Sequence, residues 1–237
     1  GVIMTSGDAP DVLVALNPVA LFVNIEEVKL GGLVIVDSGS FSAKNIKKAG
    51  YQSNPLEDGS LEKYRVFPID ISRLTLEAVG VADVNKRDGL RCKNMWTLGL
   101  ISWMYDRQLE PSAKWLENKF GEKLPEVAKA NVAALKAGHA FGETAEMPDG
   151  VRGFIIKPAD FEPGVYRTVT GTEAISWGLV AGAQLAGLKI TMCSYPITPA
   201  SGLLHILARL KAYDVTTFQA EDEIAAVCAA IGASYGG

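Results

Sequence analysis

The sequence predicts two α/β units in series, each built on a short parallel sheet, with a helical insertion in the first. Three observations carry this. Short β-branched runs alternate with helix-period segments at both ends of the chain. A helical stretch over 87–142 interrupts that rhythm, and a Pro- and Gly-rich segment, 143–169, separates the two parts. The 237 residues are enough for one or two domains with a buried core; 48% hydrophobic and 21% charged residues exclude a disordered chain.

Asp11–Leu16 reads as a buried strand. Asn17 then caps a helix through about Lys29, with Pro18 at its first position. Gly31-Gly32 stops it, Leu33–Val36 is a second strand ending at Asp37, and Tyr64–Ile69 is a third, leading to a short helix near Ser72. In the insertion, Met95, Leu98, Ile101, Ser102 and Tyr105 recur at helical spacing, and a helix starts near Pro111. Another, Leu124–Gly138, presents Val127, Ala130, Val132, Ala134 and Leu135. Beyond the arm, Thr172 caps a helix through Ala186 that Gly187 ends; Leu188–Cys193 is a strand. A turn at 195–199, a helix over 200–211, a strand Val215–Gln219 and a helix Asp222–Tyr235 complete the chain.

Charge and cysteine content narrow the function. The formal net charge is -4, with 23 basic against 27 acidic residues, so no basic excess points to nucleic acid or anionic membrane. No apolar run reaches the length of a membrane span, and Gly1–Met4 opens straight into polar residues rather than a signal sequence. Cys92, Cys193 and Cys228 lie far apart, which suits a reducing cytoplasm rather than a disulfide framework or a metal site. The missing initiator Met and the abrupt stop after an apolar helix read as a segment cut from a longer protein at both ends.

Two places carry chemistry. In Tyr195-Pro196-Ile197-Thr198-Pro199, the prolines stiffen a loop at the end of a strand. Thr198 is either the N-cap of the next helix, with Pro199 at N1, or a hydroxyl aimed with helix-end amides at an anion; both can hold. The run Glu221-Asp222-Glu223 begins the last helix, where the helix macrodipole alone favours acids. Glu223 differs, because Ala226, Val227 and Ala230 lie below it, while Ile224, Val227, Cys228 and Ile231 form the expected core face. Elsewhere the plain readings prevail: Asp37 as a solvated or capping residue, His205 on the surface, Cys193 and Cys228 as buried small apolar residues. Lys44, Lys47 and Lys48 form a solvated basic face, with a phosphate-bearing ligand the alternative.

The segments "SYPITPASGLLHIL" and "TFQAEDEIAAVCAAIGASYGG" resemble the alpha subunit of 2-oxoacid:ferredoxin oxidoreductases, in particular the 2-oxoglutarate type with a gamma domain fused ahead of alpha. "GDAPDVLVALNP", "AGYQSNPLEDGSL" and "KNMWTLGLISWMY" resemble that gamma domain. The resemblance implies a Rossmann-like gamma-type domain over 1–142, a linker arm over 143–169, and over 170–237 the start of a thiamine-diphosphate pyrimidine-binding domain. It implies oxidative decarboxylation of a 2-oxoacid, with electrons passed to ferredoxin and the acyl group to coenzyme A. Its glutamate, nine positions before a glycine, matches Glu223 and Gly232, with Glu221 the rival. Sharing a proton with the distal ring nitrogen favours the imino tautomer, whose exocyclic nitrogen can take the thiazolium C2 proton. Tyr195–Pro199 would bind the substrate, with Thr198 beside its carboxylate and carbonyl and also at the cofactor. Magnesium and the [4Fe-4S] cluster belong, on the same ground, to a beta subunit, without which this chain is inactive. The alternatives are a pyruvate- or indolepyruvate-oxidising relative, or a non-catalytic assembly module.

Overall fold

The computed structural model describes Gly7, residues 9–145, Val151 and residues 160–236, and its contacts separate the chain into Gly1–Asp160 and Phe161–Gly237. Gly1–Met4, and Pro148, Gly150, Gly153 and Pro158 of the expected arm, lie outside the described residues.

The first unit holds three parallel strands in the order β1 (Val12–Ala15), β2 (Leu33–Asp37), β3 (Arg65–Ile69). Every residue of β2 is buried, because both faces are covered. Val34 and Val36 meet Leu21 and Ile46 from α1 (Pro18–Asn24) and α2 (Ala43–Lys48). Leu33 and Ile35 face the larger core, beneath α3 (Ile71–Val79), α5 (Lys93–Met104) and α7 (Pro125–Thr144), while α4 (Lys86–Arg91) packs on α3 and α6 (Glu110–Phe120) on α7. Asn17 caps α1 as expected, accepting from Ala20 N at 2.9 Å, and a short 3-10 turn, Ile25–Glu27, prolongs it.

Of the five residues whose helical spacing marked α5, Ser102 is buried, Met95, Ile101 and Tyr105 pack against the core, and Leu98 alone is exposed. Trp96, Leu100, Trp103 and Met104 are buried as well. Since α5 is apolar on all sides, periodicity alone does not select its inner face. The neighbour decides it: α7 offers Ala130, Ala134, Gly138 and Gly142 at every fourth position, a groove that admits the two tryptophans. A Cβ at Gly99 would strike the Leu135 carbonyl, and one at Gly138 the Trp96 carbonyl, so the two main chains touch.

Asp37 is not solvated. It is fully buried at the carboxyl end of β2, and its Oδ2 accepts from Ser72 Oγ (2.6 Å), Ser40 Oγ (2.7 Å) and Lys93 Nζ (2.8 Å). Its Oδ1 accepts from the Ser72 amide (3.0 Å), so it also serves the first turn of α3. The Lys93 ammonium donates onward to Ser40 and Ser72 at 3.2 Å each, which leaves the cluster saturated. Burial pushes the Asp37 carboxyl up, but Lys93, the two hydroxyls and the Ser72 amide outweigh it and hold it below the ordinary 3.8.

In the second unit, β4 (Ile190–Ser194) pairs in parallel with β5 (Val215–Gln219). Around them lie α8 (Gly171–Ala186), α9 (Thr198–Leu207) and α10 (Glu223–Gly236). Val180 of α8 and Leu207 of α9 pack with Ile190, Met192 and Val215. The cap of α8 is Thr170 rather than Thr172: its hydroxyl accepts from Glu173 N, and Glu173 returns a bond to Thr170 N, a reciprocal capping box. Gly187 ends α8 at φ 66°, a left-handed conformation that suits glycine. The expected inner face of α10 is also corrected. Ala226 is its one buried residue, with Ala229 and Ala233 partly covered, while Ile224, Val227, Ile231 and Cys228 are exposed. Among the described residues no helix is long and apolar enough to cross a membrane.

Two predictions follow from this packing and this buried charge. Gly99→Ala and Gly138→Ala should each lower stability by about 1–3 kcal/mol through overpacking. Gly182→Ala in α8, where a Cβ meets nothing, should instead add roughly 0.5–1 kcal/mol; urea unfolding followed by circular dichroism measures all three. Lys93→Met strands a buried carboxylate and should cost about 3–5 kcal/mol at pH 7, with much of it recovered by adding Asp37→Asn. A carboxyl with a lowered folded pKa contributes fully above its unfolded value and loses that contribution as pH falls through the folded one. The gap between wild type and Lys93→Met should therefore close in acid, below about pH 4.

Candidate functional site

Parallel pairing places the segments that leave β4 and β5 at the same sheet edge. The first is Tyr195–Pro199, the second Ala220–Asp222. A hydrogen bond from Ala220 N to Ser194 O, 2.7 Å, continues the ladder one step past the last paired residues and ties these exits together.

Thr198 is not an N-cap. Ile197, extended at φ -138° and ψ 132°, occupies that position, and its carbonyl accepts the first helical bond from Ser201 N. Thr198 and Pro199 are the first two residues of α9, and the Thr198 side chain is exposed and bonded to no other described residue. Pro199 at the second helical position costs nothing, since its missing N–H would have no helical partner. Tyr195 is half-buried, and Pro196, Ile197 and Pro199 are exposed around it.

The three acids after β5 separate by role. Asp222 caps α10: its Oδ1 accepts from Ala225 N at 2.8 Å and its carbonyl from Ala226 N at 3.0 Å. Glu221 lies before the cap, outside the helix. Glu223 is the first helical residue, exposed, with its carboxylate uncommitted to any described residue. Thr198 and Glu223 thus begin α9 and α10 at one edge, each with its polar group unspent and close to a positive helix end.

This donor set fits the aminopyrimidine side of a thiamine-type ring: a free carboxylate for a ring nitrogen and a free hydroxyl for an anionic or carbonyl oxygen. Gly232, nine residues beyond Glu223, has open space where a Cβ would stand. Among the described residues no group of His, Cys, Asp and Glu is arranged to hold a metal ion. The remaining candidates are placed plainly. His205 is exposed on α9, Cys193 is partly buried, and Lys44, Lys47 and Lys48 are exposed on α2. The partners of Asp37 escaped sequence reading, since Lys93 lies 56 positions away. The Asp222 cap was foreseeable, as an Asp just before an apolar helix is a standard start signal.

The sequence and the fold both have relatives. The family model "Pyruvate ferredoxin/flavodoxin oxidoreductase" matches residues 2–141, and its thiamine-diphosphate-binding companion model matches 176–237. A curated relative, 2-oxoglutarate oxidoreductase subunit KorA of Mycobacterium tuberculosis (strain ATCC 25618 / H37Rv), is 52% identical over 235 residues, 99% of this chain and 36% of its own length. A solved 2-oxoglutarate:ferredoxin oxidoreductase from Magnetococcus marinus, with 2-oxoglutarate, coenzyme A and succinyl-CoA bound, matches the whole chain at TM-score 0.71 and 28% identity. Of that chain, too, 36% is covered, so the present chain spans about a third of either relative. With more than half of its length under the first model, the chain belongs to the pyruvate ferredoxin/flavodoxin oxidoreductase family.

Proposed function

We propose that this chain supplies the aminopyrimidine side of the thiamine diphosphate site in a 2-oxoacid:ferredoxin oxidoreductase, with 2-oxoglutarate as substrate. The observation that carries this is the pairing of an unspent hydroxyl, Thr198, and an unspent carboxylate, Glu223, on the first turns of two helices at one sheet edge. The identity to the 2-oxoglutarate oxidoreductase subunit supports the substrate. On this reading the first unit is the gamma-type domain (1–142), 143–169 is the linker arm, and 170–237 is the first part of the pyrimidine domain.

When bound, the cofactor supplies the carbon nucleophile and electron sink for decarboxylation. The chain's own residues do the rest on this side. Glu223 holds a proton at the distal pyrimidine nitrogen and so sets the tautomer of the ring. Thr198 donates a hydrogen bond to the carboxylate or carbonyl oxygen of the 2-oxoacid. Tyr195, Pro196, Ile197 and Pro199 form the stiff wall that holds Thr198 in place. Diphosphate, magnesium and [4Fe-4S] ligands come from a beta subunit, and the complex passes electrons to ferredoxin and the acyl group to coenzyme A. The reading puts the complex in a reducing cytoplasm, which its three unpaired thiols suit.

The test is deuterium exchange at C2 of thiamine diphosphate in the full-length protein assembled with its beta subunit. Glu223→Gln should slow exchange by at least about 10²-fold, the lower range for a positioned acid or base. Glu221→Gln should leave it near wild type; the reverse result moves the site to Glu221, and no effect from either overturns the reading. Thr198→Val should keep stability within about 0.5 kcal/mol, since it removes no cap. It should lower kcat or raise KM for the 2-oxoacid while cofactor binding persists. Unchanged kinetics would remove Thr198 from the site.

A further inference from the structure

Over residues 216–236, Ala220 and Ala226 are the only buried positions, at 7% exposure each, and Glu223 lies midway between them. The intervening residues 221–225 are all exposed. Glu223 bonds through its side chain to no other described residue, so its location is inherited from whatever anchors the chain on either side. On one side the anchor is Ala220, whose amide bonds to Ser194 O at the end of β4. On the other it is Ala226, the one buried residue of α10, a helix that packs against β4. Its larger apolar residues, Ile224, Val227 and Ile231, point elsewhere and are more than half exposed. A methyl group at 226 therefore sets how closely the first turn of α10 approaches the sheet.

We infer that Ala226 is a positioning residue, whose small side chain fixes the height of Glu223 above the β4–β5 edge. The inference rests on Glu223 being the proton-sharing acid. At a position 7% exposed, a side chain larger than alanine must be accommodated by a shift of its neighbours or of the backbone. Misplacement of a catalytic group by about 1 Å can cost on the order of 10²-fold.

The experiment uses the full-length protein with its beta subunit and saturating thiamine diphosphate and magnesium, well below the melting temperature. Ala226→Val should slow C2 deuterium exchange by about 10- to 100-fold, and Ala226→Cys, a smaller enlargement, should fall between it and wild type. Ala226→Gly, which keeps the close approach, should exchange within about threefold of wild type despite its poorer helix propensity. In the cofactor-free protein, Ala226→Val should speed amide hydrogen exchange in the first turn of α10 while its later turns stay protected. Thr170→Ala, which loses the cap of α8, should lower the melting temperature and leave C2 exchange unchanged. If Glu223→Gln slows exchange but Ala226→Val and Ala226→Cys only melt earlier, the positioning role is overturned. If Glu223→Gln itself has no effect, the failure lies in the assignment of Glu223. Should Ala226→Val not fold, the comparison of Cys with Gly decides: equal rates overturn the inference.

Discussion

A parallel pair of strands cannot be closed by a tight turn, and that constraint organises the second unit. Chain leaving β4 must cross back through α9 before it can enter β5, so both strands end on the same side. Every segment that follows a strand then collects at one edge, together with the positive end of the helix it begins. Thr198 and Glu223 are 25 positions apart in sequence and meet the same edge for this reason alone. The Ala220–Ser194 hydrogen bond extends the pairing by one step and carries the order of the sheet into the loops that bear the chemistry.

The first unit answers the same constraint with a different device. Its central strand is covered on both faces, and the edge beyond β2 is filled from within by Asp37 and Lys93. A buried ion pair is seldom a source of net stability, because desolvation offsets the attraction. What it does here is join four pieces of chain: the end of β2, the turn carrying Ser40, the start of α3 at Ser72 and the start of α5 at Lys93. An Asp at the end of a second strand otherwise suggests a ribose ligand, but this carboxylate is buried and already engaged by four donors.

Much of this was legible in the residues. Local signals worked where one residue decides a conformation: Asn17 before Pro18, the unbroken apolar run of β2, Gly187 after α8. The proline pair around Thr198 marked the loop that leaves β4, while the choice of Glu223 over Glu221 came from the family resemblance and not from the residues themselves. Sequence reasoning failed where a helix is apolar all round. In α10 the inner face is chosen by the shape of the neighbour, so Ala226 displaced Ile224, and in α5 the spacing overlooked Trp96 and wrongly included Leu98. It also failed where the partner is remote, as for Asp37, and where a cap sits one or two residues from its expected place. At α9 the isoleucine backbone fills the cap position because Pro199 suits the second helical position as well as the first.

The contact of Gly99 with the main chain of α7 has a mechanical side. Packed helices ordinarily slide past one another by letting side chains hop between rotamers, which lubricates shear. At Gly99 and Gly138 the surfaces in contact are peptide groups, which have no rotamers to exchange, while Trp96 and Trp103 fill the rest of the seam. Lateral travel would carry a carbonyl out of one glycine notch and over a neighbouring side chain before another notch was reached. These two notches therefore resist sliding of α5 along α7.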